Sequence, residues 1–162
     1  MQATDLVSKI DSPDAAVRTA ALTECQTLAQ LPAEALLAAI RHTEDTVPTA
    51  REAAVAVCER TDEWDTFLVA PLAKLLGQVR NDSAYWCATL LGRFGADAAF
   101  AVPALSAALG QLTYAPALQR VVLALGKIGP AAASAKPLIA KFTEHQDPHL
   151  ARTAREVLMQ LN

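Results

Sequence analysis

Sliding the chain over itself by 34 residues brings Leu91-Gly92-Arg93-Phe94-Gly95 onto Leu125-Gly126-Lys127-Ile128-Gly129. In that register small or branched residues recur at Ala21, Ala54, Cys87, Val121 and Ala154, with spacings of 33, 33, 34 and 33 residues. Four residues further on the same ladder reads Cys25, Cys58, Leu91, Leu125 and Leu158. A period of this length restricts the fold severely. Each copy is one supersecondary unit that cannot bury its apolar face alone, so the copies must stack into a shared core.

Each rung lies on an amphipathic helix, helix B of its copy. In the second copy Ala50, Ala53, Ala54, Val57 and Cys58 form an i, i+3, i+4, i+7, i+8 stripe. Ahead of each helix B lies another apolar stretch, helix A: Leu36 to Ile40, Leu68 to Leu76, Val102 to Leu109, and Leu138 to Phe142. The first helix A is short, from about Thr4 to Ile10. Pro13, Pro48, Pro116 and Pro148 fall at or just before helix B starts, where a missing N–H costs nothing. Asp14 and Asp147 have the places of N-caps. Gly95 and Gly129-Pro130 end the third and fourth helices B. The pattern predicts helices B near 14–29, 48–60, 82–94, 115–128 and 148–161, within one domain of repeats near 1–30, 31–62, 63–97, 98–131 and 132–162.

Composition agrees with close-packed helices. Hydrophobic residues make up 52% of the chain but aromatics only 5%, so Ala, Leu and Val supply the core, a mix better suited to helices than to strands. The net charge of −3 argues against nucleic acid as the main partner, since phosphate binding needs clustered Lys and Arg. No apolar run approaches the roughly 20 residues that span a bilayer, and Met1 to Ile10 carries Asp5 and Lys9 with no signal-peptide core. Three cysteines make no disulfide framework; reduced, buried thiols in a cytoplasmic protein account for them.

Candidates for chemistry have simpler readings. His145-Gln146-Asp147-Pro148-His149 holds three possible metal ligands, but it is the turn into the last helix B, with Asp147 used as a cap. His42 ends a helix A, where a positive charge is favourable. Cys25 and Cys58 share a core position in adjacent copies and read as small hydrophobes rather than a redox pair. No Gly-x-Ser-x-Gly, phosphate loop or His-Glu-x-x-His is present. Neither a cofactor nor a metal is expected, and the chain reads as a non-enzyme.

The residues Asp14-Ala15-Ala16-Val17-Arg18-Thr19-Ala20-Ala21, Ala50-Arg51-Glu52-Ala53-Ala54 and the two Leu-Gly-x-x-Gly segments resemble HEAT repeats, particularly the bacterial kind related to phycobilin-lyase repeats. Val102-Pro103-Ala104-Leu105 and Lys136-Pro137-Leu138-Ile139 look like the proline within helix A of that family. The Val-Arg pair of the family is replaced by Ser83-Ala84 and Ala117-Leu118 in copies three and four. The resemblance implies an all-α, right-handed α–α superhelix of about five helix pairs, armadillo-like in architecture, with helices B lining its concave surface. It also implies a scaffold that binds another protein or peptide as a monomer. The enzymatic alternative carried by the same resemblance is a chromophore-lyase-like role or a lyase-subunit role. HEAT-like metal hydroxylases take iron ligands from His-Glu dipeptides, which this chain lacks. HEAT-like DNA glycosylases present a basic concave face, where Glu52 and Glu59 stand here.

Numbering helix B from Val17, Ala50, Ser83, Ala117 and Leu150, a wheel at 100° per residue puts positions 1, 4, 5, 8, 9 and 12 on the core side. Positions 3, 7 and 10 point away, which makes Glu52, Tyr85, Thr89, Gln119, Leu123 and Arg152 the candidate partner-binding strip, with Gly92 and Gly126 among the outward set. Tyr85 and Leu123 are its expected anchors, as buried aromatic contacts tend to dominate binding energy. Trp86, at position 4, is expected to pack between repeats. Trp64, in the connection Thr61 to Thr66, is either a loop anchor or an exposed contact. Position 6 reads Leu22, Val55, Ala88, Val122 and then Arg155, which predicts a polar capping flank on the fifth copy.

Overall fold

The structure, a computed structural model, describes residues 3–60 and 64–161. Of the connection that holds Trp64, Thr61, Asp62 and Glu63 lie outside the described residues. Among the described residues there are ten α-helices, four 3₁₀ segments and no strand. The chain packs as two compact units, residues 1–65 and 66–162, divided in the connection between the second and third helix pairs.

The first unit holds α1 (Ala3–Ile10), α2 (Ala15–Thr27), α3 (Ala33–Arg41) and α4 (Pro48–Glu59). Helices α1 and α3 form one layer, α2 and α4 the other, and each A helix packs on its own B helix. Leu6, Ile10, Leu22, Leu36, Ile40 and Val57 fill the space between the layers. Cys25 and Cys58 sit there too, fully buried and reduced. Burial pushes the Cys25 thiol up to about 11, because a thiolate there would be stripped of water.

The second unit holds α5 (Val69–Leu76), α6 (Asn81–Arg93), α7 (Val102–Gln111), α8 (Ala115–Ile128), α9 (Lys136–Ala140) and α10 (Pro148–Gln160). It has the same two layers: α5, α7 and α9 pack in series, as do α6, α8 and α10. All five B helices begin and end within two residues of the spans their sequence predicts. Their punctuation works as expected. Asp14 accepts the Ala16 N–H, Asp147 accepts the His149 and Leu150 N–H groups, and Pro48 and Pro148 open their helices. Gly95 and Gly129 follow α6 and α8 with φ of +54° and +78°, backbone conformations that a Cβ disfavours.

Two features depart from expectation. The connections after those glycines are not plain turns but seven-residue 3₁₀ segments, Gly95–Ala101 and Gly129–Ala135, with Ala98, Ala101, Ala132 and Ala135 buried. Pro103 and Pro137 therefore stand in the first turn of α7 and α9 rather than within helix A, where a helix tolerates proline without kinking. Gly92 and Gly126 do not point outward. A Cβ on Gly92 would lie 3.3 Å from the Ala124 Cα, and one on Gly126 would lie 2.8 Å from a Val157 methyl. Position 10 of one helix B is thus turned against position 8 of the next. The absence of side chains lets the backbones approach closely.

Candidate functional site

Polar chemistry in the first unit concentrates where α1 and α3 end and α2 begins. Arg18 Nε and Nη2 donate to the two carboxylate oxygens of Asp45 at 2.8 and 2.9 Å, a bidentate pair with the Asp45 side chain only 4% exposed. The His42 ring bridges Asp45 and Asp11 at 3.1 and 2.9 Å, and Arg41 holds Asp11 from the other side at 2.9 Å. The Arg18 hydrogen bonds hold the Asp45 carboxyl well below the usual carboxylate range. His42 therefore works as a bridge between two carboxylates as well as ending its helix. Arg60 donates to the Cys25, Gln26 and Leu28 carbonyls, each at 2.9 Å, and satisfies the open C-terminus of α2. Both are cross-braces between neighbouring repeats of the unit. The Val-Arg pair was the visible signal for the first, although nothing in the sequence linked Arg18 to Asp45, 27 residues away.

Of the six strip residues, Glu52 is exposed on α4 in the first unit and the other five belong to the second. Gln119 is committed to structure, its Nε2 donating to the Thr153 hydroxyl of α10 at 3.0 Å. Arg152 lies exposed with Glu156 at 3.9 Å, a loose surface pair worth little in solvent. Tyr85, Thr89 and Leu123 come together along the seam of α6 and α8. Thr89 Oγ1 donates to the Tyr85 carbonyl at 2.7 Å. Tyr85 is half-buried: Trp86 meets it edge-on, with ring centroids 5.3 Å apart. Its face is covered by the Arg120 guanidinium, 4.7 Å from the ring centroid.

Arg120 is the residue that sequence reasoning passed over. Position 4 belongs to the core side of an ideal wheel, yet Arg120 lines an open cleft with Thr89, Leu123 and Lys127. The close α6–α8 approach at Gly92 and Ala124 turns position 4 of α8 toward α6, onto the Tyr85 ring. An arginine in a core register was the available signal. Trp64 is half-buried, with its indole Nε1 enclosed and without an acceptor, which favours the anchor over the exposed contact. The His145–His149 segment is a turn: the His145 Nδ1 accepts the Asp147 N–H at 3.0 Å, and Asp147 caps α10. Arg155 is exposed and donates to the Thr143 carbonyl of its own repeat. Among the described residues no group of three or more His, Cys, Asp or Glu is arranged to hold a metal, and no helix is long and apolar enough to cross a membrane.

No family model matches the chain, and no curated protein matches it. Among solved structures, the crystal structure of an engineered protein matches with a TM-score of 0.58 at 16% identity, over 99% of this chain and 80% of that one. A designed armadillo repeat protein matches with a TM-score of 0.48 at 15% identity, over 99% of this chain and 100% of that one. At 16% identity the first likeness shows the fold alone. Together with the stacked A and B layers, it makes the chain an α-helical repeat protein of the solenoid class.

Proposed function

We propose that this chain is a non-catalytic scaffold that takes a protein or peptide partner on the helix-B face of residues 66–162. The observation that carries the reading is the seam of α6 and α8, where Arg120, Thr89 and Leu123 line an open cleft and the Tyr85 ring lies under Arg120. Aromatic and arginine side chains already half-desolvated by their neighbours lose little freedom when a partner covers them, and such residues dominate interface energies. Helical repeats suit this role, since stacking leaves an extended surface of B helices without spending the core. The HEAT-like resemblance of the sequence points the same way.

The test is affinity capture from an extract of the source cells, followed by two variants. Tyr85→Ala removes the platform under Arg120 and weakens the captured partner by about 1–3 kcal/mol, the range for truncating a hot-spot aromatic, with helix content unchanged. Phe100→Ser alters a side chain 76% exposed in the 3₁₀ segment before α7, and should leave binding alone. A partner lost with Phe100→Ser and kept by Tyr85→Ala would transfer the interaction to the helix-A side and refute the proposal.

A further inference from the structure

The cleft between α6 and α8 carries charge that the protein itself does not neutralise. Helix α8 holds Arg120 and Lys127 and no carboxylate along its whole length. Neither cation forms an ion pair among the described residues, and the Arg120 Nε is buried without an acceptor. Arg120 is held by stacking on Tyr85 instead. A guanidinium held on an aromatic face has its position fixed by the ring, which does not satisfy its N–H groups and leaves them in need of an acceptor. Lys127, nearly two turns further along α8, and Thr89, on α6, flank the same cleft, and Leu123 supplies an apolar wall between the two cations.

We infer that this cleft binds a carboxylate side chain of an acidic peptide segment, with Arg120 as the residue that reads it, Lys127 as a second attraction at the rim, and Leu123 as the seat of an adjoining apolar side chain. The inference rests on the helix-B face being the partner surface and names the chemistry of that partner. Size supports the end of a side chain: the cleft encloses only about 30 Å³, far below the roughly 300–1,000 Å³ of small-molecule sites. Charge supports a carboxylate, since two uncompensated cations share one small concavity in a chain of net charge −3. That balance also disfavours a nucleic-acid backbone, whose binding needs many more clustered cations. A bidentate guanidinium–carboxylate contact with one edge already desolvated gains more than a surface pair, because part of the desolvation cost is met before binding.

The experiment is fluorescence polarisation of the full chain at low salt with a fluorescein-labelled decapeptide of alternating glutamate and leucine. Its glutamine analogue, a single-stranded oligodeoxynucleotide of matched length and inorganic phosphate serve as further probes. The glutamate peptide binds, the glutamine analogue binds at least about tenfold more weakly, and Arg120→Gln costs the glutamate peptide about tenfold while leaving the analogue unchanged. Arg120→Lys, which keeps the charge without the planar fork, falls between the two, and Lys127→Gln, at an exposed position, costs about two- to threefold. Helix content measured on each variant separates lost binding from lost folding. Equal binding of both peptides, unchanged affinity in folded Arg120→Gln, tighter binding of the oligonucleotide, or displacement of the peptide by phosphate at equal concentration would each overturn the inference. A captured partner that is lost with Tyr85→Ala but indifferent to Arg120→Gln and to competing glutamate peptide would overturn it as well, while leaving the scaffold reading intact. A partner indifferent to both variants sinks the two together.

Discussion

Replacing Gly126 by alanine measures how closely α8 and α10 approach. The new Cβ would stand 2.8 and 3.1 Å from the two methyls of Val157 and 3.3 Å from the Gln160 Oε1. The glutamine end can swing away at little cost. Val157 cannot, since it is only 2% exposed and a valine in a helix has one strongly preferred rotamer. The helices must part by several tenths of an ångström, and overpacking of this kind costs about 1–3 kcal/mol. Against that, alanine is about 1 kcal/mol better than glycine within a helix. The balance is a net destabilisation of about 1 kcal/mol. Gly110→Ala in α7 is the control: its Cβ meets nothing within 4 Å, so only the helix-propensity gain remains and the variant is stabilised by about 0.5–1 kcal/mol. Urea unfolding followed by circular dichroism at 222 nm reads both. Combining Gly126→Ala with Val157→Ala should show a favourable coupling of about 1 kcal/mol, because the added methyl then enters the space the valine left. A Gly126→Ala protein as stable as Gly110→Ala, with no coupling to position 157, would refute the close approach.

Asp45→Asn should lower the stability of the first unit at neutral pH and flatten its fall in acid. A carboxyl held below its unfolded value of about 3.9 contributes stability that is fully present above that value and is lost as pH falls toward the folded one. The wild-type advantage in thermal midpoint is therefore largest near pH 7, shrinks below about pH 4 and disappears under strong acid; parallel pH profiles would contradict the Arg18–Asp45 assignment. Cys25 and Cys87, both fully buried and with thiols pushed up by burial, should resist a thiol reagent such as dithionitrobenzoate at pH 8 in the folded protein and react at once in denaturant. Rapid labelling of either in the native state would place it outside the core.

What the amino-acid sequence determines by itself is the periodic part of this protein. Hydrophobic spacing specifies that helix B exists five times and on which residues, and proline, aspartate and glycine specify where it starts and stops, because both are local properties of a few neighbouring residues. Tyr85, Thr89 and Leu123 were legible as one strip for the same reason. The 3₁₀ segments after Gly95 and Gly129 were not, as buried alanines in a short connection have no period that distinguishes them from loop. What the tertiary structure alone decided is how far each helix B is rotated against the next. An ideal wheel knows only its own axis, whereas the approach at Gly92 and Gly126 depends on which residues of the neighbouring helix lie opposite. That rotation turns two glycines from the outer face into the seam. It also brings Arg120 from the core register onto the Tyr85 ring and commits Gln119 to Thr153. In the first unit, the same kind of long-range pairing joins Arg18 to Asp45 and Arg60 to the end of α2. Contacts between residues some 27 to 35 positions apart are set by stacking, and stacking is a property of the assembled repeats.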